Sequence, residues 1–239
     1  MELHICHLYP ELLNMYGDIG NINILKYRAE KRGIDVTVHS HSVGDVFEAE
    51  KYDIVMLGGG QDFEMSIVSK DISAEKKEAV KSYIESGGVL LAICGGYQIL
   101  GEYYRTPTGE KIDFLGILPF YTEGGEKRLI GNIVIDVDGV KCVGFENHAG
   151  KTYIGDLMPL GKVLKGYGNN SEDGYEGVIY KNTFGTYLHG PFLSKNPEMA
   201  DRLLKAALEK RYGGIVLESL KDTFELKAKE IMLNRLEVS

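Results

Sequence analysis

The sequence predicts an α/β fold: a mostly parallel sheet flanked by helices, then a β-rich second half and a C-terminal helix. Three observations predict it. Through the first half, short apolar runs alternate with helical stripes, the pattern of βαβ units. From Asp113 to Tyr187 the chain changes to short strand-like segments separated by turns. Helical periodicity returns after Asn196-Pro197, where a capping residue precedes a proline suited to the first helical position.

The elements follow in order. Leu3 to Leu8 reads as a first strand, and the loop after it carries Tyr16-Gly17-Asp18-Ile19-Gly20-Asn21, rich in turn residues. Ile22, Leu25 and Ala29 make a helical stripe that ends near Gly33. Ile34 to Val38 alternates as a strand, and Asp53 to Leu57 is a short apolar strand running into Gly58-Gly59-Gly60-Gln61-Asp62. Ser73 is placed to cap a helix with Ala79, Val80, Tyr83 and Ile84 on one face. Gly87-Gly88 ends that helix, and Val89 to Ile93 is a continuous apolar run, the signature of a strand buried on both faces. In the second half, Ile130 to Val137 and Val140 to Glu146 flank Asp138-Gly139, a strong hairpin signal. Gly161 to Lys165, Gly177 to Tyr180 and Thr183 to Leu188 are further strands, and Met199, Leu203, Leu204, Ala207 and Leu208 line a helix ending at Gly213-Gly214. The last segment carries Leu217, Leu220, Phe224, Ala228 and Ile231, an apolar seam predicted to lie on the chain's own sheet, with a docking surface for a partner as the alternative. Residues 1–213 are thus read as one domain and 214–239 as a C-terminal amphipathic helix.

Composition narrows the function classes. With 239 residues, 44% hydrophobic, the chain is long enough for one large core with an appendage. A formal net charge of -8 argues against a general nucleic-acid binder, which needs a basic face. The three cysteines, Cys6, Cys94 and Cys142, show no Cys-x-x-Cys spacing, so neither a disulfide framework nor a zinc site is indicated, and a reducing cytoplasm is expected. No leader and no membrane-spanning segment is read from the pattern. His39 and His41 form a His-x-His pair, but no acid or cysteine cluster joins them, and no metal is expected.

The chemistry-bearing stretch is Val89-Leu90-Leu91-Ala92-Ile93-Cys94-Gly95-Gly96-Tyr97-Gln98. A cysteine at the end of a buried strand, on a sharp turn into a helix, is presented at the carboxyl edge of the sheet, where open α/β sheets bind ligands. The helix N-terminus behind it favours a thiolate. A nucleophilic cysteine needs a base, and His189, following the strand-like Thr183 to Leu188, is placed slightly ahead of His148 for that task. The second glycine cluster, Gly58-Gly59-Gly60, reads either as a plain turn or as a backbone N–H donor for an oxyanion. Neither a Gly-x-Gly-x-x-Gly fingerprint nor a Gly-x-x-x-x-Gly-Lys-Ser/Thr loop is present, so no nucleotide cofactor is indicated.

Ala92-Ile93-Cys94-Gly95-Gly96-Tyr97-Gln98, the Gly58-Gly59-Gly60 loop and the downstream His189 resemble class I (triad-type) glutamine amidotransferases, a flavodoxin-like fold. Thr186-Tyr187-Leu188-His189-Gly190 looks like the cobyric-acid-synthase branch. Leu8 to Asp18, Gly58-Gly59-Gly60-Gln61-Asp62 and Phe145 to Thr152 are similar to the GatD family of glutaminase subunits of lipid II isoglutaminyl synthases. The resemblance implies hydrolysis of L-glutamine through a Cys94 thioester, with Gly60 and Gly95 as the oxyanion hole and His189 as the acid–base. It implies that ammonia passes to an ATP-dependent Mur-ligase-like partner, MurT, in a heterodimer that amidates the D-glutamate of lipid II. Arg128, in the Gly124-Gly125-Glu126-Lys127-Arg128 segment, resembles a substrate contact, and Gln98 and His148 are candidates for the pocket wall. The competing readings are an amidotransferase subunit for another carboxylate, such as a corrinoid, and a non-catalytic binding module on the same fold.

One departure bears on mechanism. Many class I enzymes carry a glutamate two residues after the histidine, and here that position is Pro191. The site is therefore expected to work as a dyad, or to take an acid from Glu146 or from the partner chain. Ala92, where many members have glycine, is small enough to matter little.

Overall fold

The structure, a computed structural model, describes residues 1–238 of the chain. Twelve strands are described: β1 (Glu2–Leu8), β2 (Asp35–His41), β3 (Ile54–Leu57), β4 (Val89–Ile93), β5 (Tyr103–Arg105), β6 (Lys111–Asp113), β7 (Tyr121–Val137), β8 (Val140–Tyr153), β9 (Gly161–Lys165), β10 (Tyr175–Glu176), β11 (Val178–Tyr180) and β12 (Thr183–Thr186). The α-helices are α1 (Ile19–Glu30), α2 (Asp62–Asp71), α3 (Ala74–Glu85), α4 (Gly95–Ile99), α5 (Phe192–Lys195), α6 (Pro197–Tyr212) and α7 (Thr223–Arg235).

The main sheet has the order β11-β12-β4-β3-β1-β2 and is parallel except for β11. Its centre is apolar by necessity, since every residue of β3 and β4 is buried. The chain steps outward from β1 to β2 and in the opposite direction from β3 to β4. Right-handed crossovers therefore put α1 and α3 on opposite faces. The α1 layer is completed by α6, and a buried ion-pair cluster joins the two. Arg28 donates to both carboxylate oxygens of Asp201 (2.7 and 2.7 Å) and of Asp222 (2.6 and 2.9 Å). Arg32 adds a bond to Asp201 at 2.8 Å. On α3 the predicted cap is present, with Ser73 accepting from the Lys76 N–H.

The second half builds a separate sheet, β10-β9-β7-β5-β6, with β8 paired to β7. Its spine is a long antiparallel hairpin, β7–β8, turning at Asp138-Gly139 as the sequence predicts. The strands run far beyond the apolar stretches that announce them. The Gly124–Arg128 segment, which resembles a loop in sequence, lies inside β7 at a register shift between Gly124 and Leu129. The two sheets meet where Phe145 of β8 and His189 exchange backbone hydrogen bonds, His189 N–H to Phe145 O at 2.8 Å and Phe145 N–H to His189 O at 3.1 Å.

The C-terminal seam packs differently from its prediction. Phe224 and Ile231 point outward, 84% and 57% exposed. The helix is instead held by its last turn, where Leu236 with Met232 and Leu233 covers Val134 and Val143 of the hairpin. Lys229, buried, pairs with Glu198 at the start of α6. The hairpin supplies an apolar surface near the end of α7 that the linear seam does not anticipate. Among the described residues no helix is long and apolar enough to cross a membrane.

Candidate active site

Four segments meet at the carboxyl edge of the main sheet: the loops after β1, β3 and β4, and the turn after β12. Cys94 stands between β4 and α4 with φ 49 and ψ -107, a backbone conformation that side chains rarely occupy. Strain of that kind costs about 1–3 kcal/mol and persists where the surroundings over-determine it. Here β4 is locked between β3 and β12, the Cys94 N–H donates to Thr186 O (2.8 Å), and the Gly96 N–H is tied back to Gly58 O (3.1 Å). The elbow therefore has no room to relax. Its tightness also explains glycine at 95, because a Cβ there would lie 2.8 Å from Gly60 O and 2.9 Å from Gly60 N. Among the described residues, the N–H groups of Gly60 and Gly95 have no backbone or side-chain acceptor, so two neighbouring amides remain open beside the sulfur.

His189 is buried, with its backbone clamped to β8. Burial pulls its imidazolium down, but Asp18 and Cys94 beside the ring outweigh burial and raise it to about 9. The direction of that shift favours the protonated ring at neutral pH. Asp18, in the loop after β1, is fully buried and lies 3.5 Å from His189 Nδ1 through its Oδ1. Its other oxygen accepts the Gly59 N–H at 2.7 Å. Sequence reasoning missed Asp18 as an acid: its loop reads as a turn and as part of a family-like stretch. The available signal was topological: Asp18 follows the first parallel strand, and such loops gather at the edge that carries Cys94.

Glu146 does not reach His189. Its two oxygens accept the N–H groups of Tyr167 (2.8 Å) and Gly168 (3.0 Å), and its nearest imidazole is His148, at 3.9 Å. Strand alternation decides this, because β8 directs Glu146 and His148 to one side and Phe145 and Asn147 to the other.

A cavity of about 340 Å³ opens at the sulfur, lined among others by Gly60, Cys94, Gln98, Arg128, Asn147 and His148. The three residues singled out as substrate contacts thus share one pocket with the thiol. Gln98 donates to Tyr187 Oη at 3.0 Å. His148 bonds Gly150 O through Nδ1 (2.7 Å) and stacks on Tyr187 with ring centroids 3.6 Å apart. Arg128 is held by Asn147, whose Oδ1 and backbone oxygen accept at 2.7 and 2.9 Å, and Asn147 in turn donates to Tyr16 Oη at 2.5 Å. A guanidinium fixed on one side leaves its remaining N–H groups for an anionic ligand. A thiol on a strained elbow, an imidazole beside a carboxylate, two open amides and a tethered cation can together support covalent acyl transfer.

The model of the CobB/CobQ-like glutamine amidotransferase domain matches residues 4–197, which includes every one of these groups. The chain belongs to that family. This amidotransferase is 51% identical over 217 residues to the Streptococcus pneumoniae subunit GatD of lipid II isoglutaminyl synthase (glutamine-hydrolyzing), covering 89% of this chain and 83% of that one. It is 46% identical over 237 residues to GatD of Staphylococcus aureus, covering 98% and 96%. Among solved structures, a glutamine amidotransferase of Thermotoga maritima shares the fold with a TM-score of 0.53 at 14% identity, covering 99% of this chain and 95% of that one. The motif resemblance therefore holds in both its broad and its narrow form, and the α/β fold class holds with it.

Proposed function

We propose that this amidotransferase hydrolyses L-glutamine and passes the ammonia to an ATP-using Mur-ligase-like partner, MurT, which amidates the D-glutamate α-carboxyl of lipid II in peptidoglycan synthesis. The observation that carries the reading is Cys94, held on a strained elbow at the sheet edge that also carries His189 and two open amides. The Cys94 proton passes to His189, and the thiolate sulfur attacks the carboxamide carbon of glutamine. The oxyanion that forms is received by the N–H groups of Gly60 and Gly95, where each donor contributes about 3–4 kcal/mol. His189 gives its proton to the departing nitrogen, so ammonia leaves and a thioester remains. The neutral ring then takes a proton from water, whose oxygen attacks the thioester and releases glutamate. Arg128 pairs with the α-carboxylate of glutamine, while Gln98 and His148 form the pocket wall.

The acceptor rests on likeness to the two GatD subunits, whose names state lipid II and glutamine hydrolysis. That reading needs a heterodimer in which the partner uses ATP, since no nucleotide-binding motif lies in this sequence, and it places the heterodimer in the cytoplasm. The test is ammonia release from glutamine, and amidation of lipid II, by the chain with its Mur-ligase-like partner and ATP. Wild type should perform both steps. Cys94→Ala should lose glutamine hydrolysis but support amidation from added ammonia. A Cys94→Ala complex that still used glutamine would sink the reading.

A further inference from the structure

We propose that Asp18 is the positioning acid for His189, so that the third group of the catalytic set comes from this chain's own β1–α1 loop. The inference rests on the glutaminase reading. It starts from unpaired atoms: Asp18 Oδ1 and both ring nitrogens of His189 are buried without a hydrogen-bond partner among the described residues. Asp18 Oδ1 faces Nδ1 at 3.5 Å. That separation is long for a hydrogen bond, and catalytic pairs in unliganded sites are often long and tighten with substrate.

Both partners are delivered by rigid backbone. The Asp18 loop is fastened to Gly59 twice, through Met15 N–H to Gly59 O (3.0 Å) and Gly59 N–H to Asp18 Oδ2 (2.7 Å). Asn14 accepts the Ile19 N–H at 2.8 Å and fixes the turn into α1. Tyr16, in the left-handed region at φ 55, sets its ring edge-on to His189 with centroids 4.9 Å apart. A Cβ on Gly59 would lie 3.0 Å from His189 Cε1 and 3.2 Å from Asp18 Oδ2, so ring, carboxylate and backbone are in mutual contact.

The same packing accounts for Pro191. A Cβ on Gly20 would lie 2.3 Å from Pro191 Cγ, so the proline is seated on the first turn of α1, two residues beyond Asp18. The segment after His189 thus buttresses the loop that carries the acid instead of carrying one. The titratable groups acting on His189 are Asp18 and Cys94, with the Tyr16 phenol edge-on to the ring; His7 in turn lies within the field of Asp18. Asp18 holds Nδ1 protonated, which leaves Nε2 to exchange protons with sulfur, ammonia and water.

The experiment compares wild type with Asp18→Asn, each assembled with the Mur-ligase-like partner. The asparagine keeps an acceptor for the Gly59 N–H but removes the charge. Glutamine hydrolysis should lose about 100- to 10,000-fold in kcat with KM nearly unchanged. The pH dependence of Cys94 alkylation by iodoacetamide should shift as well, which loss of a merely structural contact would not produce. Because the variant carries a folding risk, an NMR titration of His189 in the Cys94→Ala chain, where no sulfur shares the ring and Asp18 alone opposes burial, is the second arm. A ring that titrates above 6.5 supports the pair, and one that titrates below it, as burial alone demands, overturns the proposal. Wild-type kcat and pH profile in Asp18→Asn would overturn it too. A wild-type complex that hydrolyses no glutamine removes the glutaminase reading, and the NMR titration still decides the pairing.

Discussion

The Cys94 sulfur meets an open cavity. Cys6 and Cys142 are fully buried, and burial pushes both thiols up to about 12. An electrophile shaped like glutamine, or iodoacetamide at neutral pH, is therefore expected to label one site in the folded chain. Peptide mass mapping should place the adduct on Cys94, and labelling of Cys6 or Cys142 at a comparable rate would contradict the burial argument. Arg128 offers a second residue-scale prediction. Its planar fork is set by Asn147, so Arg128→Ala is expected to lower kcat/KM for glutamine roughly 10- to 100-fold, in line with about 1.5–3 kcal/mol for a charged hydrogen bond. Arg128→Lys should recover little of it, because a lysine cannot reproduce the fork. Steady-state kinetics with a non-carboxylate glutamine analogue checks the assignment: there the two variants should match wild type.

At the scale of elements, the molecule is joined by a few polar clasps as much as by its core. The chain before α7 is fastened through Asp222 to Arg28, whose side chain is only 3% exposed. Asp222→Ala leaves that guanidinium one carboxylate short in a poorly solvated place, with a cost of about 1–3 kcal/mol. Urea unfolding should show the loss, and limited proteolysis should show earlier cleavage between α6 and α7. Glutamine turnover should stay within a few-fold, since the clasp lies away from the Cys94 cavity. The exposed Phe224 and Ile231 show that periodicity located a helix but not the face it buries. A seam is a property of one segment, whereas burial depends on which surface comes opposite it.

For the molecule as a whole, pH couples to stability through two buried groups. Glu176 is held up to about 8, first by burial and against its bonds from the Tyr187 N–H and Thr186 hydroxyl. An unfolded glutamate ionises near 4.5, so the native state retains a proton that the unfolded state has lost, and stability falls as pH rises from about 4.5 to about 8. His189 acts in the same direction: its raised value stabilises the fold fully below about 6.5, and that contribution is lost as pH rises through about 9. Unfolding free energy should therefore decline between about pH 6 and pH 9. Glu176→Gln keeps an acceptor for the Tyr187 N–H and should flatten part of that decline. Urea titrations of both chains at several pH values measure it, and parallel slopes would contradict the role given to Glu176.

Local sequence was enough for the parallel half of the fold. Val89 to Ile93 has to be a buried strand because five apolar residues in a row have no solvent face, and the glycines after Cys94 force the elbow that presents the sulfur. The hairpin turn at Asp138-Gly139 and the helix start at Asn196-Pro197 were legible for the same reason, since each is set by backbone preferences within a few residues. Cys94 followed from a strand end, as did His189 slightly ahead of His148, while Gly60 and Gly95 as oxyanion donors came from the family resemblance. What only the tertiary structure decided is which side chains meet across the sheet edge. Glu146 looked eligible as the acid by type, but the alternation of β8 turns it to His148 and to the Tyr167 and Gly168 amides. Asp18 looked like a turn residue, and the strand order β12-β4-β3-β1 brings its loop across the sheet edge, past Gly59, to His189 from far along the chain. A parallel sheet orders its strands by crossovers that leave no mark in local spacing, so the nucleophile is written in its own neighbourhood and its partners are not.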